Sequence, residues 1–136
     1  MQISVIWKYL GIFVLLNSLC SCGFVHDEVL TGPYRLIAVD LNSDMSLSYD
    51  LGNGSAVGRV NETVFAVGWN DTYVVAQQHP ENVRSVTHYY YIERVKDGPW
   101  VDPSACVTGP LTEKEFLQKQ QELKLPAFTR IISSLK

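Results

Sequence analysis

Apolar and polar positions along this chain fall into three regimes. Residues 9–19 are almost wholly apolar, with Ile12, Phe13, Val14, Leu15 and Leu16 at their heart. From residue 34 to 95 apolar residues come in short bursts divided by turn residues. From residue 112 they recur at helical spacing.

The middle regime reads as an antiparallel sheet, because short runs rich in β-branched and aromatic residues alternate with turn signals. Residues 34–40 are rich in Leu, Ile and Val. In 45–51, Met45, Leu47 and Tyr49 alternate with Ser46, Ser48 and Asp50, the pattern of a half-buried strand. Asn53-Gly54 is a favoured type I′ turn pair, so 55–60 returns as the hairpin partner. The next hairpin joins 63–69 to 72–77 across Asn70-Asp71, residues that cap their own backbone. After a loop at 78–84 containing Pro80, residues 86–95 form a strong strand. Tyr89, Tyr91 and Glu93 share one of its faces; Tyr90, Ile92 and Arg94 share the other. A Pro- and Gly-bearing connection, 96–110, leaves room for a short edge strand at Val101 or at Cys106 and Val107.

The helical regime starts at Thr112, an N-cap whose Glu115 three residues on completes a capping box. Phe116, Gln120 and Leu123 line one stripe, and Leu125-Pro126 ends the helix. Phe128, Ile131, Ile132 and Leu135 follow at i, i+3, i+4 and i+7, which predicts a second short helix. Thr129, Ile131 and Ile132 are also β-branched, so a final edge strand stays open. The expected fold is α+β: an antiparallel sheet of about five or six strands with one or two C-terminal helices packed on it.

The apolar segment 9–19 has no polar face and is too short for a membrane span, which needs about 20 residues. With Lys8 before it and small residues after it, it has the tripartite form of an export signal. Leu19-Cys20-Ser21-Cys22 resembles the lipobox of bacterial lipoproteins: Leu, two small residues, then the lipid-accepting Cys. The frame with Cys20 as acceptor puts bulky Leu19 beside the cleaved bond, so Cys22 is preferred; an ordinary secreted protein cut near Ser21 is the third reading. The expected organisation is a lipoprotein signal peptide at 1–21, a lipidated tether at 22–32 and one β-rich domain at 33–136. Two or more acyl chains on Cys22 would hold stably in a bilayer. The expected location is the cell envelope. In a Gram-negative cell, Gly23 after the acceptor fits the outer membrane, with the domain facing the periplasm.

Charge narrows the partners. Of 11 basic and 14 acidic side chains only Lys8 is lost with the signal, so the mature chain carries a net charge of −4. That argues against nucleic acid, which needs a basic patch, and against electrostatic attachment to anionic lipid. With Cys20 discarded and Cys22 acylated, Cys106 is the sole thiol and no internal disulfide forms. Three Asn-x-Ser/Thr sequences, at Asn53, Asn61 and Asn70, read as turn-rich loops in a bacterial chain.

The segment from Val67 to Gln78 (VGWNDTYVVAQQ), then Tyr89-Tyr90-Tyr91-Ile92, then Thr108-Gly109-Pro110-Leu111-Thr112-Glu113-Lys114-Glu115-Phe116, resembles a set of small bacterial lipoproteins carrying an uncharacterised domain. Those share a GWD-x-Y hairpin, a YYI strand and a YGPLTEEEF helix start. Asn70 here replaces their usual Asp, and Val107-Thr108 stands where an aromatic is common. The resemblance implies an anchored sheet-plus-helix domain and carries no activity, cofactor or site.

No nucleophile elbow, phosphate-cradling loop or supported carboxylate pair is present, so no catalytic residue, metal ligand or cofactor is assigned. The functional lead is aromatic: Trp69, Tyr73, Tyr89, Tyr91 and Trp100 form a candidate interaction surface, since amphipathic rings anchor protein interfaces. Packing in the core and across strands is the competing reading. The leading expectation is therefore a binding module with a protein partner in the envelope, as an inhibitor, immunity or accessory protein. One alternative is an envelope hydrolase or metal-dependent enzyme using His79, His88 and Glu81, with the histidines otherwise sitting on surface loops. A purely structural lipoprotein is the other.

Overall fold

The computed structural model describes residues 23–136. The lipobox, Leu19 to Cys22, lies outside them. Among the described residues nine strands form two antiparallel sheets. The first holds β1 (His26–Thr31), β2 (Tyr34–Ala38), β3 (Ser46–Gly52) and β4 (Ser55–Val60) in sequence order. The second is built from β5 (Val64–Trp69), β6 (Tyr73–Gln78), β7 (His88–Glu93), β8 (Val107–Leu111) and β9 (Arg130–Ile131), in the order β8-β7-β6-β5-β9. Two α-helices, α1 (Pro103–Cys106) and α2 (Glu113–Leu123), and four short 3₁₀ turns complete the regular structure of the described residues.

The predicted turns form for the predicted reasons. Asn53 and Gly54 both have positive φ, 55° and 74°, as a type I′ pair requires. The Asn70 side chain accepts from the backbone N–H groups of Thr72 and Tyr73 at 2.9 and 2.7 Å. Thr112 Oγ1 accepts from Glu115 N at 3.2 Å, and Glu115 Oε1 accepts from Thr112 N at 3.0 Å, closing the capping box on α2. Lys124 then turns into the left-handed region (φ 56°) and ends the helix.

The layering differs from a single sheet. Tyr34, Leu36, Ala38, Leu47 and Val60 of the first sheet pack against Val67, Val74, Ala76 and Ile92 of the second, so the two sheets share one core. On the far side of the second sheet Val75, Tyr89 and Tyr91 pack with Phe116 of α2 and with Leu125. The second sheet is thus covered on both faces, which is why β5 and β6 read as continuous apolar runs rather than alternations. The overall class is α+β and mostly strands. The split into two sheets escaped the pattern because β4 and β5 are neighbours in sequence but do not pair. A burst of apolar residues does not say which strand lies beside it.

Two stretches depart from expectation. The polar stretch assigned to a tether carries β1, registered against β2 from His26↔Ala38 to Thr31↔Tyr34. Its period is two, with His26, Glu28 and Leu30 half-buried and Asp27 and Val29 exposed, but polar residues mask it. The second helix does not form. Thr129 N donates to Val67 O at 3.0 Å and Ile132 N to Phe65 O at 2.7 Å, so the chain extends along the open edge of β5 as β9. The β-branched residues prevail there over the helical spacing. A single 3₁₀ turn, Ser133–Leu135, then buries Leu135 in the core.

Candidate interaction site

The five aromatic residues singled out from the sequence do not form one surface. Tyr89 and Tyr91 are buried under α2, where the Tyr89 ring stacks on Phe116 with centroids 5.1 Å apart. Tyr73 is half-buried and meets Tyr91 edge-on at 6.0 Å. Trp69, at the end of β5, packs against the inter-sheet core. Only Trp100 stands in solvent, 89% exposed, on the loop between β7 and α1. Val95, on the same loop, is 90% exposed. The aromatic signal in β7 was core chemistry.

That loop is held by a buried polar cluster. Arg59 of β4 and Asp97 have side chains 1% and 0% exposed. Arg59 Nε lies 3.0 Å from both carboxylate oxygens of Asp97, and Nη2 donates to Gly98 O at 3.0 Å. Asp97 also accepts from Tyr34 Oη at 2.8 Å and from Gly98 N at 2.7 Å. A buried carboxylate needs this many partners to offset desolvation. The guanidinium of Arg59 lies over the Tyr49 ring at 5.1 Å. Arg94 lies over Tyr34 at 5.7 Å and donates to Asn70 O at 2.7 Å and Thr31 Oγ1 at 3.2 Å. Asp102 caps α1 by accepting from Ser104 N at 2.9 Å. Val95 and Trp100 therefore project from a loop whose Arg94, Asp97 and Gly98 are bonded to β4 and to the end of β1.

Cys106 borders the cluster. Burial, and then the charge of Asp97, push its thiol up to about 11. Burial likewise raises the Tyr34 phenol, reinforced by its bond to Asp97. The ionisable groups are occupied with one another, and the cluster braces the loop against β4 and β2. The signal for it was Arg59, a charge in an otherwise apolar return strand.

The histidines have different settings, with His88 half-buried on β7 opposite Gln78. His79, expected on a surface loop, is buried; it stacks on Phe65 at 4.2 Å, and its Nδ1 lies 2.8 Å from Val86 O. His26 Nε2 lies 3.1 Å from Glu28. Glu81 is exposed. Among the described residues no group of three His, Cys, Asp or Glu side chains is placed to hold a metal ion. An open groove of about 240 Å³ lies beside α2, lined by Tyr89, Phe116, Leu117, Gln120 and Phe128 among others.

The sequence of residues 31–132, from the end of β1 through β9, matches the family model described as protein of unknown function (DUF3997). Comparisons with curated proteins and with solved structures returned no match. Since the matched segment makes up most of the chain, the protein belongs to the DUF3997 family.

Proposed function

We propose that this protein is a bacterial cell-envelope lipoprotein, anchored through Cys22, whose domain acts as a binding module for a protein partner. The observation that carries the anchor is Leu19-Cys20-Ser21-Cys22, following an export-type apolar run and standing four residues before β1. Gly23 after the acceptor favours the outer membrane in a Gram-negative cell. The binding role draws support from Trp100 and Val95. Tryptophan is enriched among residues that dominate interface energies, and a pre-stiffened loop loses little entropy on docking.

Palmitate labelling of the wild type, Cys20→Ala and Cys22→Ala tests the anchor. Label should survive Cys20→Ala and vanish in Cys22→Ala; label lost in Cys20→Ala alone would move the acceptor, and label in none would leave an ordinary secreted protein. The binding role is tested by affinity capture from detergent-solubilised envelope with wild type and Trp100→Ala. A partner retained by the first and lost by the second supports it; an identical set with both removes Trp100 from the reading.

A further inference from the structure

The chain joins the first sheet sooner than a free tether would. Val25 N donates to Ala38 O at 3.0 Å and lies 3.4 Å from Val39 O. Only Gly23 and Phe24 separate this fixed backbone from Cys22. Around the exit stand Phe24, Val25, Val39 and Leu41, between 45% and 64% exposed. The turn that presents Leu41 is capped: Asp44 Oδ2 accepts from the N–H groups of Asp40 and Leu41 at 3.2 and 2.9 Å. Met45, next in the chain, is buried and pins the turn.

Reach decides what these side chains meet. Three residues span at most about 10 Å when fully extended. The headgroup layer of one leaflet is about 5–8 Å thick. Acyl chains on Cys22 would therefore hold Val25, and with it Val39 and Leu41, within the headgroup layer or no more than a few ångströms above it. We propose that the face formed by Phe24, Val25, Val39 and Leu41 lies against the bilayer, seating the domain on the membrane in one orientation. The inference rests on lipidation of Cys22. The charged residues beside the patch are Asp40 and Asp44, together with Asp27 and Asp50, both paired with Arg35 at 2.8 Å, so the one cation there among the described residues is already neutralised; His26 is turned to Glu28. The lipid that fits is thus zwitterionic rather than anionic. Arg94 meets Thr31 at the opposite end of β1, about 20 Å away at the rise of a six-residue strand. Seated this way, the domain points Val95 and Trp100 away from the membrane.

The test uses the palmitate-labelled full chain, purified in detergent and reconstituted into phosphatidylcholine vesicles. Single cysteines at Val39→Cys, Leu41→Cys and Val95→Cys carry an environment-sensitive fluorophore; Cys106 is buried and Cys22 acylated, so the label stays at the chosen site. Probes at 39 and 41 should shift to the blue and be quenched several-fold more by lipids labelled high on the acyl chain than by aqueous iodide. The probe at 95 should show the reverse. Probes at 39 and 41 as open to iodide as the one at 95, in palmitate-labelled protein, would overturn the seating and leave the anchor standing. Probes shielded from both quenchers would assign the patch to a protein and also overturn it. A wild type that takes up no palmitate and does not stay with the vesicles would remove the anchor and the seating together.

Discussion

Arg59 and Asp97, 38 positions apart, meet as a fully desolvated ion pair in which the guanidinium Nε lies 3.0 Å from both carboxylate oxygens. Removing one member leaves the other charged and buried, which costs about 3–5 kcal/mol. Asp97→Ala should therefore lower the denaturation midpoint sharply, as chemical unfolding will show. Replacing both members by apolar residues, as in Arg59→Met with Asp97→Leu, should be much milder. A double variant as unstable as the single one would mean that the bonds to Gly98 and Tyr34, not the charge, hold the loop.

Cys106 makes the fold sensitive to alkali. Its thiol titrates near 11 in the folded protein against an ordinary value near 9. The unfolded chain therefore loses its proton first. Stability from this group is complete below pH 9 and falls as pH rises from 9 to 11, by on the order of 3 kcal/mol in all. Cys106→Ala should show a shallower decline in unfolding free energy over that window than wild type. The raised phenol of Tyr34 adds in the same direction and remains in the variant.

Glu28 works at the acid end. The bidentate bond from Arg130, at 2.8 and 2.9 Å, and that residue's charge hold its carboxyl below the usual range. The stabilisation is present above the ordinary carboxylate range and is lost as pH falls through the lowered folded value. Because both side chains are partly exposed, Glu28→Gln should cost about 1 kcal/mol at pH 7. Acid titration followed by circular dichroism should show the two proteins converging at low pH.

Gly68 admits the C-terminal strand. A Cβ there would stand 1.9 Å from the carbonyl oxygen of Ala127. That atom is backbone, so the neighbour cannot rotate away. Gly68→Ala should destabilise by about 1–3 kcal/mol and, in hydrogen exchange, release the amides of Thr129 and Ile132 before those of β6.

Much of this fold was legible, and the parts that were not share a cause. The hairpins around Asn53-Gly54 and Asn70-Asp71, the cap at Thr112 and the face assignment of β7 all follow from contacts within a few residues, where sequence speaks directly. The division into two sheets, the pairing of β9 with β5 and the Arg59–Asp97 brace depend on residues tens of positions apart. The tyrosines of β7 misled for a related reason: a ring suited to an interface is equally suited to a core, and only the position of α2 decides. The prominence of Trp100 was half readable. Its residue type marked it, but what makes its loop rigid lies in another sheet.

The clamp between Glu28 and Arg130 joins positions 102 apart, and Leu135 is part of the core. The first strand is thus locked from the opposite end of the domain, and its contacts are complete only once β9 is in place. Any chain of this fold threaded N-terminus first through a pore could not close on the far side until β9 had followed β1 through.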